Sequence, residues 1–467
     1  MPDVMSEAQI RAFARAATAR QTPPDDPRQP LRSALQKVGH YGAGQTAGRF
    51  YPGACVALEV TQRCNLDCTL CYLSEAAELA HDPPLAVLFS RIDDLACHYG
   101  PGANIQITGG DPTLRKVEDL EALCRHIRQH GMRSCLMTNG IKASREMLTR
   151  LRRAGLDDVA FHVDLTQERK GYHTEAALNA IRHRYIERTR GLGLRILFNT
   201  TIYDGNLAEI PVLAAFFRDH AADITLTSFQ MQADTGRGVL RARDEAITQN
   251  SVMAAIARGM GSDLDFDTAA VGHSECNRFT MVLVAGGKAV SLLSNRPLFE
   301  RAVAAVEAED DPSDSYVEIG RSLRRAALRH PLLALNTVGE ALRVLWRLRS
   351  GLTAGRPHRL SILVHNFMDA SELRADRCEA CVFKVATADG PLSMCVHNAH
   401  RDDHLFAPAP IATGGTSGWW SAATGTITSD EVRAKPALDT APLKRLKGRQ
   451  RARALENHPN KARRVSA

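Results

Sequence analysis

A regular alternation of strand and helix patterns runs through residues 54–260 and limits the possible folds more than any other feature. Short apolar runs such as "ACVALEVT", "ANIQITGG" and "DVAFHVDL" predict strands, and each precedes a longer stretch with helical spacing. Six strand–helix pairs follow one another. Short buried strands joined by helical crossovers form parallel sheets. We therefore predict an α/β fold, either an open doubly wound sheet or a partial barrel.

The most distinctive loops of this region each follow a predicted strand. A cysteine-rich loop follows the first strand, "TGGDP" ends the second, "TNG" the third and "HVD" the fourth. Ligands of parallel α/β sheets bind at the carboxyl ends of the strands. We expect these four loops to meet at one mouth.

The regions outside the alternation suggest further domains. We predict a helical N-terminal extension over 1–50, a core over 51–260 and a second domain over 261–404. That second domain contains a hairpin at Gly286–Gly287, an arginine-rich helical stretch and more cysteines. Residues 405–467, rich in small residues, proline and then basic residues, are predicted to be disordered.

Composition and charge narrow the class of protein. The chain has 44% hydrophobic residues but no apolar run long enough to span a membrane, and its N-terminus lacks a signal-peptide pattern. We expect a cytoplasmic protein with reduced cysteines. Residues 440–467 contain nine basic residues and one acid, so the rest of the +7 chain carries 7 − 8 = −1. The basicity therefore predicts no specific nucleic-acid surface.

Three cysteines, Cys64, Cys68 and Cys71, lie within one short loop. A closed tetrahedral metal site needs four ligands, so three leave one coordination position open for chemistry. One loop with this spacing suits three corners of an iron–sulfur cluster. Zinc, or three buried thiols without a metal, are the alternatives.

Cys-x3-Cys-x2-Cys followed by an aromatic residue, after the first strand, resembles the radical S-adenosylmethionine (radical SAM) superfamily over about residues 54–235. The resemblance implies a partial (β/α)6 TIM-like barrel and a [4Fe–4S] cluster whose fourth iron binds S-adenosylmethionine. It also implies an electron donor such as flavodoxin or ferredoxin. The cluster would cleave the sulfonium and yield a 5′-deoxyadenosyl radical that abstracts hydrogen.

The resemblance extends to the other loops in order. It implies that residues at the ends of the first six strands bind S-adenosylmethionine, with His162, Thr201 and Gln232 as further polar neighbours. Two adjacent glycines let backbone carbonyls approach the methionine ammonium, and an aspartate stands where the family has glutamate. The implied binding residues are Tyr72, Gly109, Gly110, Asp111, Pro112, Thr138, Asn139, Asp164, Asn199 and Gln230. Polar residues at strand ends that only cap helices or satisfy backbone groups are the alternative.

A second cysteine group predicts a second metal site. Cys378, Cys381 and Cys395 bracket two short strands and an Asp-Gly turn, which would bring the three sulfurs to one end, and Cys276 is a candidate fourth ligand. The spacing resembles the cluster region of the molybdopterin-precursor cyclase. The surrounding residues resemble the branch that contains tetraether lipid synthase and pterin-modifying enzymes. We expect a second [4Fe–4S] cluster, with structural zinc as the alternative.

The segment "RSLRRAALRHPLLALNTVGEALRVLWRLRSG" mixes leucines at helical spacing with seven arginines. Such a basic amphipathic helix can lie on an anionic membrane as a peripheral contact. We prefer the other interpretation, a helix that packs on the domain and turns a basic face to solvent.

Together these features predict a radical SAM enzyme that acts on an unactivated C–H bond of a small molecule, lipid or pterin-like substrate, by carbon–carbon bond formation or methylation. Peptide modification or cofactor biosynthesis is an alternative within the same chemistry. An iron–sulfur electron carrier or a zinc-structured binding protein is the alternative of another class, and neither has a use for the "TGGDP" loop.

Overall fold

The computed structural model describes residues 4–18, 24–237, 243–309, 319–413 and 416–432. Its core consists of six β/α units, as the alternation predicts. β1 is buried along its whole length, as expected of a strand in a parallel sheet covered on both faces. The strands of this core are β1 (Cys55–Thr61), β2 (Asn104–Gly109), β3 (Arg133–Thr138), β4 (Asp158–His162), β5 (Arg195–Ile202) and β6 (Ile224–Met231).

The six strands are parallel and lie side by side in chain order. A doubly wound sheet reverses its strand order at a switch point. No reversal occurs among these strands, so the partial barrel is confirmed. The first eight helices are α1 (Glu7–Thr18), α2 (Gln29–Lys37), α3 (Leu85–Tyr99), α4 (Val117–Gln129), α5 (Arg145–Ala154), α6 (Glu175–Thr189), α7 (Ile210–Asp219) and α8 (Gln249–Met260).

Local sequence signals set the ends of these helices. Ser144 caps α5 by accepting a hydrogen bond from the Met147 amide, and Gly155 ends α5 in the left-handed conformation that favours glycine. Thr248 and Ser251 form a capping box at the start of α8. The apolar faces of the helices cover the sheet in one continuous core.

The chain beyond α8 extends the same sheet. Its strands and helices are β7 (Asn277–Ala285), β8 (Lys288–Ser291), α9 (Arg296–Glu307), α10 (Ile319–Arg329), α11 (Pro331–Leu352), β9 (His358–Asn366), α12 (Ala375–Glu379), β10 (Phe383–Ala386), β11 (Pro391–Ser393), α13 (Met394–Ala399) and α14 (Arg401–Leu405). β9 pairs in parallel with β6, and β10 pairs in parallel with β1. With β9 on one side and β10 on the other, the six core strands become part of a row of eight parallel strands. The domain boundary at residue 260 stays a prediction, because the strands before and after it belong to one sheet.

The prediction of disorder from residue 405 onwards is wrong for residues 405–413 and 416–432. Three antiparallel strands follow α14: β12 (Ala409–Thr413), β13 (Thr416–Trp420) and β14 (Ile427–Thr428). Trp420, Ile411 and Phe406 are buried against Val87 of α3. A few apolar anchors therefore fix a segment whose composition suggested a linker. Residues 433–467, which contain all of the basic tail, lie outside the described residues.

The arginine-rich stretch forms α10 and α11, and α11 packs on the domain with exposed arginines, as our preferred interpretation predicts, but its outer face also carries apolar residues. Val344 and Leu348 of α11 pack on the β7–β8 hairpin as expected of a packing helix. Most of the other large apolar residues of α11 face outward. Among the described residues, no helix is long and apolar enough to cross a bilayer.

Candidate active site

The eight parallel strands surround a cavity of about 310 Å³. Alternate residues of each strand point inward, because side chains of a strand alternate between its two faces. The cavity also reaches the cysteine loop through Cys71 and Tyr72. One inward residue from each strand illustrates the arrangement: Ala57, Thr108, Met137, His162, Asn199, Ser228, His365 and Val385.

The cysteine loop carries Cys64, Cys68 and Cys71 just beyond β1. None of the eleven cysteines, all of which lie in the described ranges, forms a disulfide. Burial raises the pKa of Cys68 above its ordinary value, and the charge of neighbouring Cys71 raises it further. Three ionised thiols this close together need a cation to compensate their charge. Three thiolates of one loop are also the donor set that an iron–sulfur cluster uses.

Contacts from four neighbouring loops hold the cysteine loop. The Thr69 amide donates to the Thr166 carbonyl at 2.7 Å after β4, and the Arg237 amide donates to the Leu73 carbonyl at 2.7 Å after β6. The Asn139 side-chain amide donates to Asn65 Oδ1 at 2.7 Å. The Gly110 amide donates to the Thr61 carbonyl at 2.8 Å after β2. The predicted loops therefore meet at one mouth.

Gly109 and Gly110 lie too close to the β1 end for any side chain. A Cβ on Gly109 would lie 1.9 Å from the Thr61 carbonyl oxygen, and one on Gly110 would lie 2.1 Å from that of Arg63. The Tyr72 hydroxyl donates to the Gly109 carbonyl at 2.5 Å. We call this close backbone approach the glycine cradle, and the resemblance implies that the amino end of S-adenosylmethionine binds there.

Asp111 lies beneath this cradle rather than in the cavity. Its fully buried carboxylate accepts hydrogen bonds from the Thr113 amide, the Thr138 hydroxyl and the Asn139 amide. Pro112 starts the short helix that follows. Asp111, Thr138 and Asn139 thus connect the second and third loops to each other, and a supporting role fits these contacts better than direct ligation.

Asp164 is also fully buried, and neighbouring groups occupy both of its oxygens. Burial raises the pKa of Asp164, but charge and hydrogen bonding from His162 outweigh burial and lower it to about 2. His162 Nε2 lies 2.6 Å from Asp164 Oδ2, which also accepts from the Thr201 amide at 2.8 Å. His162, Thr201, Asn199, Gln230 and Gln232 line the cavity, whereas Asp164 lies behind His162. The polar groups that face the cavity at this end of β4, β5 and β6 are therefore these neighbours.

A buried ion pair that sequence reasoning missed closes one side of the cavity. Arg401 of α14 binds Glu59 of β1 through both carboxylate oxygens, at 2.7 Å each. Arg401 Nε donates to the Tyr72 carbonyl at 3.1 Å, and its guanidinium lies over the Tyr72 ring. The pair spans 342 residues, and no local pattern signals it.

The second cysteine group gathers where β9 and β10 leave a seam in the barrel. Cys276, Cys381 and Cys395 line a small cavity there, and Cys378 is fully buried beside them on α12. Arg377 Nε donates to Cys276 Sγ at 3.2 Å. Cys395 also lines the large cavity that Cys71 reaches. Both cysteine groups therefore face one interior space.

The spacing of the sulfurs bears on the choice of metal. Tetrahedral zinc with Zn–S bonds of ~2.3 Å holds its sulfurs about 3.8 Å apart. Across the described part of the chain, only Asp93, His126 and His130 bring three candidate ligand atoms within 4.8 Å of one another. Neither cysteine group is that compact. A cube of four irons holds its thiolates farther apart than a zinc ion does.

The comparisons with known proteins agree on one family. The model of the radical SAM superfamily matches residues 58–207. The Fe-coproporphyrin III synthase of Methanosarcina barkeri is 32% identical over 166 residues, which cover 34% of this chain and 39% of that protein. The PqqA peptide cyclase of Xanthomonas campestris is 27% identical over 46% of this chain and 58% of its own.

Other similarities are more distant. The 7,8-dihydro-6-hydroxymethylpterin dimethyltransferase of Methanocaldococcus jannaschii is 28% identical over 38% of this chain and 36% of its own. Among solved structures, anSMEcpe with bound AdoMet is 15% identical over 44% of this chain and 59% of its own, with a TM-score of 0.34. The chain thus spans less than two thirds of the length of each of these proteins.

Proposed function

The chain belongs to the radical SAM superfamily of enzymes, and from that premise we propose that it uses S-adenosylmethionine to abstract hydrogen from an unactivated C–H bond. When bound, a [4Fe–4S] cluster held by Cys64, Cys68 and Cys71 would supply the single-electron reduction of the sulfonium on which hydrogen abstraction depends. The observation that carries the proposal is the junction of cysteine loop, glycine cradle and barrel cavity around Cys71 and Tyr72.

The residues of the chain have distinct proposed roles. Cys64, Cys68 and Cys71 would hold the cluster. The Gly109 carbonyl, which the Tyr72 hydroxyl orients, would receive the methionine ammonium. His162, Asn199 and Gln230 would contact the nucleoside from the cavity wall. We assign Asp111, Pro112, Thr138, Asn139 and Asp164 to support of these loops.

We also propose a second [4Fe–4S] cluster at the barrel seam, held by Cys276, Cys378, Cys381 and Cys395. The gathering of Cys276, Cys381 and Cys395 around one small cavity supports it, and the place of Cys395 on the wall of the large cavity supports a role beside the substrate. An electron donor of the flavodoxin or ferredoxin type would reduce the enzyme.

The cavity wall favours a substrate with an apolar part. Small and aliphatic side chains form much of it, including Ala57, Ala160 and Leu363, and its charged pair Glu59–Arg401 is self-satisfied. A highly phosphorylated substrate would need unpaired cations here. We therefore favour a lipid-like substrate, modified by carbon–carbon bond formation or methylation and encountered at a membrane surface. A peptide or a cofactor precursor, as the names of the relatives suggest, is the second candidate.

The test is formation of 5′-deoxyadenosine from S-adenosylmethionine by anaerobically reconstituted protein under strong reductant. We expect Cys68→Ala to abolish it and Cys97→Ala, a matched change at an exposed cysteine of α3, to leave it intact. Full turnover by Cys68→Ala would refute the assignment. Iron bound without any cleavage in the parent protein would favour an electron carrier.

The second cluster has a separate test. We expect Cys378→Ala to keep the iron of the first site and uncoupled cleavage, and to lose the iron of the second. Loss of all iron would contradict two independent sites.

Mass spectrometry of molecules that co-purify with the protein would distinguish lipid from peptide or cofactor precursor.

A further inference from the structure

Helix α11 turns an apolar face away from the protein. Its outward residues recur every three or four positions, which places them on one side of the helix. Leu332 is 77% exposed and Trp346 67% exposed. Solvent-facing positions of a surface helix are ordinarily polar, and an exposed apolar patch of this length marks an interaction site. The face consists of Leu332, Leu335, Val338, Leu342, Leu345 and Trp346.

The opposite face of α11 is firmly anchored. Val344 and Leu348 are buried against Ala285 and Val290 of the β7–β8 hairpin. Gly351 approaches the hairpin so closely that a Cβ there would lie 2.1 Å from the Ala285 carbonyl oxygen. The helix therefore already has its intramolecular packing face, and the exposed face is the second one.

The charges around the exposed face are basic. Residues 319–352 contain seven arginines and one acidic residue, a net charge of 7 − 1 = +6. Arg343, Arg347 and Arg349 of α11 are exposed, and the Arg349 guanidinium lies 4.4 Å from the centre of the Trp346 ring. The acid, Glu340, has a side chain only 13% exposed and pairs with Arg343. No acidic side chain of α11 is thus exposed to oppose an anionic partner.

We propose that α11 docks this protein on the surface of an anionic lipid bilayer. The apolar face would enter the boundary between headgroups and acyl chains, with Trp346 at the polar interface and the arginines on lipid phosphates. α11 has 22 residues, but it lies on the surface, since no described helix is apolar enough to cross. A second copy of the chain suits the face less well, because symmetric pairing would bring two segments of +6 together.

The test is flotation of the anaerobically purified holoprotein with vesicles. We expect binding to vesicles of phosphatidylglycerol and phosphatidylcholine, and roughly tenfold weaker binding to phosphatidylcholine alone. The double change Leu335→Ser and Leu342→Ser should weaken binding at least ~tenfold by removing inserted side chains. The matched control is Ile141→Ser with Val212→Ser, two exposed apolar residues elsewhere, which should bind like the parent.

Two further measurements separate the possible occupants. Arg343→Gln with Arg347→Gln should weaken binding and reduce its sensitivity to salt, whereas the iron content of every variant should match the parent. Absence of vesicle binding by the parent, or equal binding by the leucine variant, would overturn the proposal. A dimer that the leucine variant abolishes, without vesicle binding, would assign the face to a second copy and also overturn it. None of these measurements requires cleavage of S-adenosylmethionine, so the docking proposal can be confirmed even if the proposed radical chemistry is refuted.

Discussion

The buried pair of Glu59 and Arg401 gives a quantitative prediction. The change Arg401→Met removes the ion-pair partner of the Glu59 carboxylate, whose side chain is only 8% exposed. Breaking such a pair costs about 3–5 kcal/mol, since one charge stays buried without compensation. Burial raises the Glu59 pKa, but Arg401 outweighs burial and holds it at about 2, against an ordinary 4.5. That fall corresponds to ~3 kcal/mol of stability at neutral pH.

The assay is anaerobic denaturation in a double-mutant cycle of Glu59→Gln and Arg401→Met. We expect the single change Arg401→Met to lower the free energy of unfolding by ~3–5 kcal/mol and the double variant to recover part of the loss. The control is Arg190→Met. Arg190 is 49% exposed and pairs with Asp223 and Glu187 on the surface, so its loss should cost at most about 1 kcal/mol.

The pH dependence of the free energy of unfolding provides an independent test. In the parent the lowered Glu59 pKa gives stability that is present above about 4.5 and is lost as pH falls towards 2. Without Arg401, burial alone raises that pKa, so the variant loses stability as pH rises. The difference between parent and variant should therefore be smaller at about pH 5 than at about pH 8. Equal costs for Arg401→Met and Arg190→Met, or a difference that grows in acid, would refute the reasoning.

Three further outcomes follow from the structure. Gly110→Ala should weaken S-adenosylmethionine binding at least ~tenfold in equilibrium dialysis, because its Cβ would meet the Arg63 carbonyl oxygen at 2.1 Å; unchanged binding would contradict the cradle. Asp111→Asn should lower the melting temperature and weaken binding together, because the amide nitrogen that replaces one carboxylate oxygen cannot accept hydrogen bonds from Thr138 and its neighbours. Lost binding at an unchanged melting temperature would instead indicate direct ligation by Asp111. Trp420→Ala should destabilise the attachment of β12–β14 to α3 by ~3–5 kcal/mol and admit proteolysis there; unchanged protease resistance would contradict that anchoring.

Sequence periodicity predicted the six core strands and their parallel direction, because each strand and helix carries its own local pattern, but it left their spatial order open between a doubly wound sheet and a partial barrel. It also located both cysteine groups, since their spacing is visible along the chain. It could not place β9 and β10 beside β6 and β1, because pairing between segments more than a hundred residues apart leaves no local signal.

Side-chain roles were harder to predict than positions. Asp111 and Asp164 lie at the mouth as expected, yet internal donors occupy their oxygens. A sequence shows that a carboxylate lies at a strand end but not which way it points. The same limit applies to α11, where helical spacing revealed an apolar face but could not show that the face turns outward.

The central claim is that Cys64, Cys68 and Cys71 hold a cluster with one iron left for S-adenosylmethionine. Electron paramagnetic resonance of the reduced, air-free protein tests it most directly, with Cys276→Ala and Cys378→Ala combined to remove the second site. We predict a reduced-cluster signal that changes when S-adenosylmethionine is added and is missing after Cys68→Ala. A signal that S-adenosylmethionine leaves unchanged, or one that survives Cys68→Ala, would contradict the account.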